Sequence, residues 1–157
     1  MPEISIRPES YASPTASSLV DALTLELAGR YPGEDPDCKG SEPDPEEFEL
    51  PRGRFVVAWL KGEAIGCGGV CSADGNGPAE VRRMYVTPEA RGQGISREIL
   101  AALGKEALAL GNERIRLETG INQPEAIGLY ESSGYARIPN YGPYIGEARS
   151  VSFEKTL

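Results

Sequence analysis

A short glycine-containing segment, residues 91–96, is the strongest candidate for chemistry in this sequence. It reads R-G-Q-G-I-S and follows an apolar run that ends just before a proline. The glycines allow a tight turn whose backbone N–H groups point into one concavity at a helix N-terminus. Those donors, the helix dipole and an arginine suit an anion such as pyrophosphate, although an ordinary strand–turn–helix connection is the alternative. The candidate residues are Arg91, Gly92, Gln93, Gly94, Ile95 and Ser96.

The residue types that the chain lacks exclude several other chemistries. There is no histidine among the 157 residues. Ser–His and Cys–His catalysis are therefore excluded, and so is most zinc chemistry. Cys38, Cys67 and Cys71 fit neither a C-x-x-C pair nor a zinc-ligand spacing. The sequence thus predicts reduced thiols and no metal.

Two blocks of sequence carry a resemblance to a known family. The first reads V-x-x-M-Y-V-x-P-x-x-R-G-Q-G-I from Val81, and the second reads N-Q-P-E-A-I-G-L-Y-x-x-x-G-Y from Asn122. The first resembles the acyl-CoA-binding motif of the GNAT superfamily of N-acetyltransferases. The second resembles that family's N-x-x-A-x-x-L-Y-x-x-x-G-[FY] segment. Because the blocks occur in the right order and at a suitable separation, the pair is far more specific than either block alone.

The resemblance implies both a fold and a co-substrate. The fold is a mixed α/β one, with a mostly antiparallel sheet of six to seven strands flanked by helices and a splay between the fourth and fifth strands. Acetyl-CoA would place its pantetheine arm in that gap as though it were an extra strand, pairing with the backbone of Met84 and Val86. The implied co-substrate contacts are Met84, Tyr85, Val86, Arg91, Gly92, Gln93, Gly94, Ile95, Ser96, Asn122 and Gln123.

The activity that the resemblance implies is direct attack of a primary amine, on a small molecule or a peptide, on the acetyl group. This reaction needs a neutral amine, a donor to the developing oxyanion and an acid for the leaving thiolate. The family positions imply the Met84 N–H as the oxyanion donor and Tyr130 as the acid. A packing role is the alternative for Tyr130. A non-catalytic acyl-CoA-binding or sensing module on the same fold is the alternative function.

Two carboxylates are candidates for the base. Glu80 precedes Val86 by six residues, where several family members carry their base. An ordinary carboxylate is a poor partner for an alkylammonium of pKa about 10, so a raised pKa or a water relay is required. Strand alternation places Glu80, Arg82, Met84 and Val86 on one face, which makes an ion pair of Arg82 with Glu80 or with Glu118 the structural alternative. Glu118 is the second candidate.

Two positions depart from the family pattern. Ser96 occupies the last position of R-G-x-G-x-G, where glycine or alanine is common, but its hydroxyl is able to bind phosphate. The interval from Asn122 to Ala126 is one residue longer than the usual N-x-x-A. Either Asn122 or Gln123 is therefore expected to meet the pantetheine arm.

The rest of the pattern predicts the elements that position these residues, within a single domain spanning 1–157. Ser13 or Thr15 is expected to cap the first helix, and a short helix is expected near Pro45. A helix that connects neighbouring parallel strands requires a mixed sheet. The predicted strands are 3–7, 55–60, 64–71, 81–86, 114–119, 135–138 and 150–153, and the helices are 13–30, 95–110 and 124–134.

An acidic, proline-rich segment spans residues 31–53 and contains eight Asp and Glu residues. A solvated flap is one interpretation. The other is an acceptor-side segment that concentrates a small cationic amine. Tyr31, Glu118 and Tyr141 are the predicted acceptor-binding residues, since the tyrosine rings offer faces to an ammonium group.

Composition narrows the class of protein further. A net charge of −8 argues against nucleic acid as a partner, because phosphate binding needs a basic face. No apolar run has the length of a membrane span and no signal-peptide pattern is evident, so the sequence predicts a cytoplasmic protein that does not bind membranes. The oligomeric state stays open, a homodimer included.

Overall fold

The computed structural model describes residues 3–31, 43–72 and 77–157, which form one sheet flanked by three helices. The strands are β1 (Ser5–Pro8), β2 (Gly53–Leu60), β3 (Glu63–Cys71), β4 (Ala79–Val86), β5 (Arg114–Gly120), β6 (Ala136–Ile138) and β7 (Ser150–Thr156). The helices are α1 (Pro14–Arg30), α2 (Ile95–Ala109) and α3 (Pro124–Ser132), with short 3₁₀ turns at Pro45–Phe48, Pro88–Ala90 and Gly142–Tyr144.

The sheet is mixed, as the resemblance implied. Its order is β1-β2-β3-β4-β5-β7-β6, and each neighbouring pair is antiparallel except β4 and β5. That parallel pair is joined only at Ala79–Ile115 and Glu80–Arg116. Beyond Glu80, β4 continues to Val86 without a strand partner on the edge that faces β5. The predicted splay between the fourth and fifth strands is confirmed.

Each face of the sheet carries its own apolar cluster. On one face α2 and α3 cover the cluster that contains Ile99, Leu103 and Phe153. On the other face α1 packs its buried Leu19 and Leu23 against the second cluster. Helix α1 begins where predicted, because the Ser13 hydroxyl accepts a hydrogen bond from the Ala16 N–H at 3.0 Å. Apolar burial on both faces places the sheet at the centre of the fold.

Close packing of α2 on β3 depends on two glycines. A Cβ atom at Gly66 would lie 2.9 Å from Cδ1 of Ile99, and one at Gly68 would lie 2.9 Å from Cδ1 of Leu103. A Cβ atom at Gly66 would also lie 2.9 Å from the Tyr85 carbonyl oxygen, so a larger residue at these positions would force the neighbouring side chains or backbone to shift. The glycines therefore hold the N-terminus of α2 against the end of β4.

Strand β4 contains a bulge in its second half. Its register with β3 shifts between Cys67 and Gly69, so that Arg83 and Met84 together stand opposite Gly68. Arg83 has a positive φ of 60°, which is typical of the extra residue in a bulge of this kind. The extra residue reverses the alternation of side chains along the rest of the strand.

The bulge makes one prediction wrong. Val81, Met84 and Val86 all pack into the α2-side cluster. Glu80 and Arg82, which alternate with Val81, therefore lie on the opposite face, toward α1. The four residues Glu80, Arg82, Met84 and Val86 do not share a face, because simple alternation fails at Arg83.

The remaining boundaries differ from the predictions by a few residues. The hairpin turn between β2 and β3 consists of Lys61 and Gly62 alone, both with positive φ, and Glu63 already belongs to β3. Strand β7 extends beyond Phe153 to Thr156, because its whole length pairs with β5. The short helix near Pro45 is present as a 3₁₀ turn.

Part of the acidic segment lies outside the described residues. The residues concerned are Glu34, Asp35, Asp37, Cys38 and Glu42, and elsewhere in the chain Asp74 also lies outside the described residues. In the part of the chain that the structure describes, no helix is both long enough and apolar enough to cross a membrane.

Candidate active site

A cavity of about 310 Å³ opens at the gap beside the free length of β4. Its walls come from β4, the 91–96 turn, the C-terminal half of α1 and the first turns of α3. Gln93 and Asn122 are not among its lining residues. The predicted co-substrate residues that do line it are Met84, Tyr85, Val86, Arg91, Gly92, Gly94, Ile95, Ser96 and Gln123.

The glycine turn at one end of this cavity has the properties of an anion site. Gly92 and Gly94 have φ values of 79° and 78°, a region that side chains disfavour. A Cβ atom at either glycine would meet nothing within 4 Å, so the space above the turn is open. Gly94 is the N-cap of α2 and offers no side-chain cap, which leaves the first N–H groups of a 15-residue helix available. The turn therefore fits a phosphate or pyrophosphate group.

The backbone of β4 presents polar groups to the same cavity. The Thr87 N–H donates to the Ile65 carbonyl at 2.9 Å, so the next hydrogen-bonded pair in this ladder is Tyr85 with Cys67. Val86 lies between these pairs, and its N–H and C=O consequently point away from β3, into the gap. The Val86 carbonyl accepts a hydrogen bond from Nε of Arg91 at 3.0 Å on that side. This free edge is able to pair with an extended ligand.

A second, smaller cavity of about 130 Å³ lies on the α1 face of the sheet. Both candidate bases, Glu80 and Glu118, line it. The two cavities have Leu23, Met84, Gln123 and Tyr130 in common. The other polar residues of the smaller cavity are Arg82, Arg83, Thr119 and Tyr144.

Tyr130 stands where the two cavities meet. It belongs to α3, and its ring centroid lies 6.0 Å from that of Tyr135 and 5.8 Å from that of Phe153. Burial raises the pKa of the Tyr130 phenol, and nearby Tyr135 and Glu118 raise it further. The phenol therefore keeps its proton at neutral pH, as a general acid must.

The two carboxylates of the smaller cavity differ in their surroundings. Burial raises the pKa of Glu80 above its ordinary value, against the opposing effects of Arg82 and Arg116. Glu118 accepts a hydrogen bond from the Ser150 hydroxyl at 2.7 Å. Glu80 thus has the raised pKa that the sequence argument required of a base.

Gln123 and Asn122 face different parts of the molecule. The Gln123 side-chain oxygen accepts from the Gly120 N–H at 3.1 Å, and the residue lines both cavities. Asn122 turns toward α1, where its Nδ2 donates to the Arg30 carbonyl at 3.0 Å. The structure therefore brings Gln123, and not Asn122, to the gap.

Neither tyrosine predicted to bind the acceptor is among the residues that line the two cavities, although the Tyr141 ring packs against that of Tyr144, 5.6 Å between centroids. The Tyr31 hydroxyl accepts from the Asn122 N–H at 3.2 Å and ties α1 to the β5–α3 connection. The guanidinium carbon of Arg116 lies 3.9 Å from the Tyr141 ring centroid, so that ring face already has a cation. Tyr144 lines the smaller cavity instead, because the Gly142–Tyr144 turn brings it inward. Sequence reasoning missed Tyr144, since nothing in its local pattern distinguishes it from Tyr141.

Neither described cysteine is placed to act as a nucleophile. Burial raises the pKa of Cys67 to about 12 and that of Cys71 to about 11, so both are thiols at neutral pH. Among residues 3–31, 43–72 and 77–157, no group of three or more metal-ligating side chains is assembled.

Comparisons with known proteins agree with this geometry. A sequence profile described as "Acetyltransferase (GNAT) family" matches residues 20–135. An IAA acetyltransferase of Azospirillum brasilense is 35% identical over 157 residues, which cover 100% of both chains.

Solved structures show the same fold. A Klebsiella pneumoniae protein, provisionally described as an acyl-CoA N-acyltransferase, is 29% identical with a TM-score of 0.81, over 98% of this chain and 97% of that one. A GNAT family acetyltransferase from Elizabethkingia anophelis, solved with acetyl-CoA bound, is 19% identical with a TM-score of 0.67, over 98% of each chain. At that identity the second likeness concerns the fold alone.

The environment of Glu80 predicts part of the pH dependence of stability. Its pKa is raised above 4.5 in the folded state, so the folded protein holds this proton more tightly than the unfolded chain does. The contribution of Glu80 to the free energy of unfolding should therefore fall as the pH rises from 4.5 through the folded-state pKa. Urea titrations across about pH 4 to 8 should show a shallower fall for Glu80→Gln than for the wild type.

Glu63→Gln is the matched control, because Glu63 is an exposed carboxylate at the start of β3. Its pH profile should follow that of the wild type. If the free energy of unfolding changed with pH equally steeply in the wild type and in Glu80→Gln, the assigned environment of Glu80 would be wrong.

Proposed function

The chain belongs to the GNAT family of acetyltransferases, and we propose that it transfers the acetyl group of acetyl-CoA to a primary amine of a small molecule or peptide. The observation that carries this proposal is the meeting of two cavities at Met84 and Tyr130. One cavity has an anion-binding turn and a free strand edge, and the other has two carboxylates. A two-substrate transfer needs this arrangement, with the reacting groups brought together at the junction.

In this proposal the larger cavity holds acetyl-CoA. The first N–H groups of α2 and the Arg91 side chain bind the pyrophosphate. The Val86 and Met84 backbone groups pair with the pantetheine arm in the gap. Gln123 contacts that arm from the opposite wall. The co-substrate supplies the acetyl thioester, and the chain orients it toward the smaller cavity.

The chemical step is a direct displacement. The neutral amine attacks the acetyl carbonyl carbon, the Met84 N–H donates to the developing oxyanion, and the C–S bond breaks as the amide forms. Tyr130 gives its proton to the leaving thiolate. Transfer from a phenol of pKa about 10 to a thiolate of pKa about 8.5 is uphill by roughly 2 kcal/mol, and the raised pKa of Tyr130 adds to this. Tyr130 is therefore most effective as a hydrogen-bond donor whose proton moves as the C–S bond breaks.

We assign the base to Glu80, with Glu118 as the alternative. Both carboxylates line the cavity that would hold the acceptor. The proton released by the attacking amine passes to the carboxylate, directly or through one water molecule. The raised pKa of Glu80 narrows the gap to an alkylammonium group, which favours it for this role.

The acceptor is proposed to be a small cationic amine, such as a polyamine or a lysine-type side chain. In the described lining of the smaller cavity, the negative charges of Glu80 and Glu118 are balanced by the positive charges of Arg82 and Arg83. The cation preference therefore rests on the acidic segment 31–53 and on long-range attraction.

The test is thiol release from acetyl-CoA with a panel of cationic and anionic amines at low and high salt. We expect turnover with an amine, and a preference for cationic acceptors that shrinks as salt screens the attraction. In a parallel thermal-shift assay, acetyl-CoA at a hundred times its dissociation constant should add about 2.7 kcal/mol of stability. Binding without turnover of any amine would instead indicate an acyl-CoA-sensing module. A preference for anionic amines would overturn the proposed acceptor class.

Tyr130→Phe should lower turnover by about 10²- to 10⁴-fold and leave the affinity for acetyl-CoA within a few-fold, because only the proton donor is lost. Tyr135→Phe is the matched control. Its ring contacts that of Tyr130, but Tyr135 lines neither of the two cavities. If chemistry limits the rate and Tyr130→Phe turns over as fast as the wild type, Tyr130 has a packing role and is not the acid.

A further inference from the structure

An ion pair joins α1 to the glycine turn, residues 91–96. Nη2 of Arg91 lies 2.6 Å from Oε1 of Glu26. The same guanidinium donates through Nε to the Val86 carbonyl at 3.0 Å, and its central carbon lies 5.6 Å from the Tyr85 ring centroid. Arg91 is thus held by Glu26, Val86 and Tyr85, all of which line the larger cavity. Of these three, only Glu26 is negatively charged.

The charges around this cavity are balanced. Its lining includes two arginines, Arg30 and Arg91, and two glutamates, Glu26 and Glu125. Arg30 binds Glu125 through both of its terminal nitrogens, at 2.8 and 3.1 Å. A pyrophosphate group would bring extra negative charge into a region that has no net positive charge in its lining. An arginine that is to bind the phosphates must share its N–H donors with them or release its glutamate, and releasing the glutamate removes a like charge from beside the phosphates.

The pair at Arg30 is the better anchored of the two. Arg30 also donates to the Asn122 carbonyl at 3.1 Å, and Asn122 donates back to the Arg30 carbonyl. The Tyr31 hydroxyl joins the same connection. Beside the glycine turn, by contrast, the structure gives Glu26 one short ion pair, to Arg91. The Glu26–Arg91 pair is therefore the one that opens.

We propose that Glu26 is an internal competitor for the pyrophosphate of acetyl-CoA. In the free protein the Glu26 carboxylate is paired with the Arg91 guanidinium. When the co-substrate binds, its pyrophosphate displaces the carboxylate. This inference rests on the proposed function, since it requires a CoA ligand. Glu26 then lowers co-substrate affinity, and it does so only for ligands that carry the pyrophosphate. The Arg30 contacts keep α1 in place during the exchange.

The experiment measures affinities by calorimetry for two probes, CoA and pantetheine, with wild type and Glu26→Gln. Removing the competing charge should tighten CoA binding about 3- to 10-fold at low salt. Pantetheine, which lacks the pyrophosphate, should bind both proteins equally. Asp21→Asn is the matched control, because Asp21 is an exposed carboxylate on the same helix. Its affinity for CoA should equal that of the wild type. Glu26→Ala serves as the second variant, and melting curves confirm that each variant folds.

The outcomes separate this inference from the proposed function. If wild type binds CoA and both Glu26 variants bind it with equal or lower affinity, Glu26 is not a competitor, whereas the proposed function stands. If Glu26→Gln tightens CoA and pantetheine alike, the effect does not act at the pyrophosphate and the inference fails. If wild type binds neither probe, the proposed function fails as well.

Discussion

The incomplete pairing of β4 with β5 is the constraint on which the rest of the molecule depends. Only two residue pairs, ending at Glu80 and Arg116, join these strands. The bulge at Arg83 then gives β4 an extra residue, and the strand edge beyond it is left open to a cavity. Unpaired backbone groups inside a sheet are costly unless water or a ligand satisfies them. The fold thus keeps one strand edge without a strand partner at its centre, where a ligand is able to complete the sheet.

Packing and electrostatics place the other groups around this gap. Gly66 and Gly68 let α2 lie close on β3, which brings the N-terminus of α2 to the end of β4. Helix α3 carries Tyr130 to the opposite wall. The side-chain reversal at Arg83 sends Met84 to one face and leaves Glu80 on the other. Met84 nevertheless lines both cavities, so the two substrates would meet across a single strand.

Local patterns in the sequence, together with the family resemblance, were enough to predict most of the fold and most of the residues that line the larger cavity. The glycine turn, the strand before it and the second block with Tyr130 depend on residues close together in the chain. The acceptor side was predicted less well. Alternation failed at Arg83, since a bulge inserts a residue without changing the apolar pattern. Tyr31 and Tyr141 were assigned from residue type. In the structure the Tyr31 hydroxyl bonds to the Asn122 N–H, Arg116 lies on the Tyr141 ring, and neither tyrosine is a lining residue of the cavities.

Glu26 was missed for a related reason. It lies in the C-terminal half of α1, and its partner Arg91 comes from a turn that is distant in sequence. No local pattern marks such a pair. Side chains that act through long-range contacts become visible only when the helix and the sheet are assembled.

The central claim is that the free edge of β4 takes up the pantetheine arm as an added strand. Hydrogen exchange at single amides, resolved by NMR with and without CoA, tests it most directly. The Val86 amide should exchange markedly more slowly with CoA bound, and the Met84 amide with acetyl-CoA bound, because a hydrogen-bonded N–H is protected. The Tyr85 amide, which faces β3, should change little and serves as the internal reference. Tight CoA binding with unchanged exchange at Val86 would contradict the account.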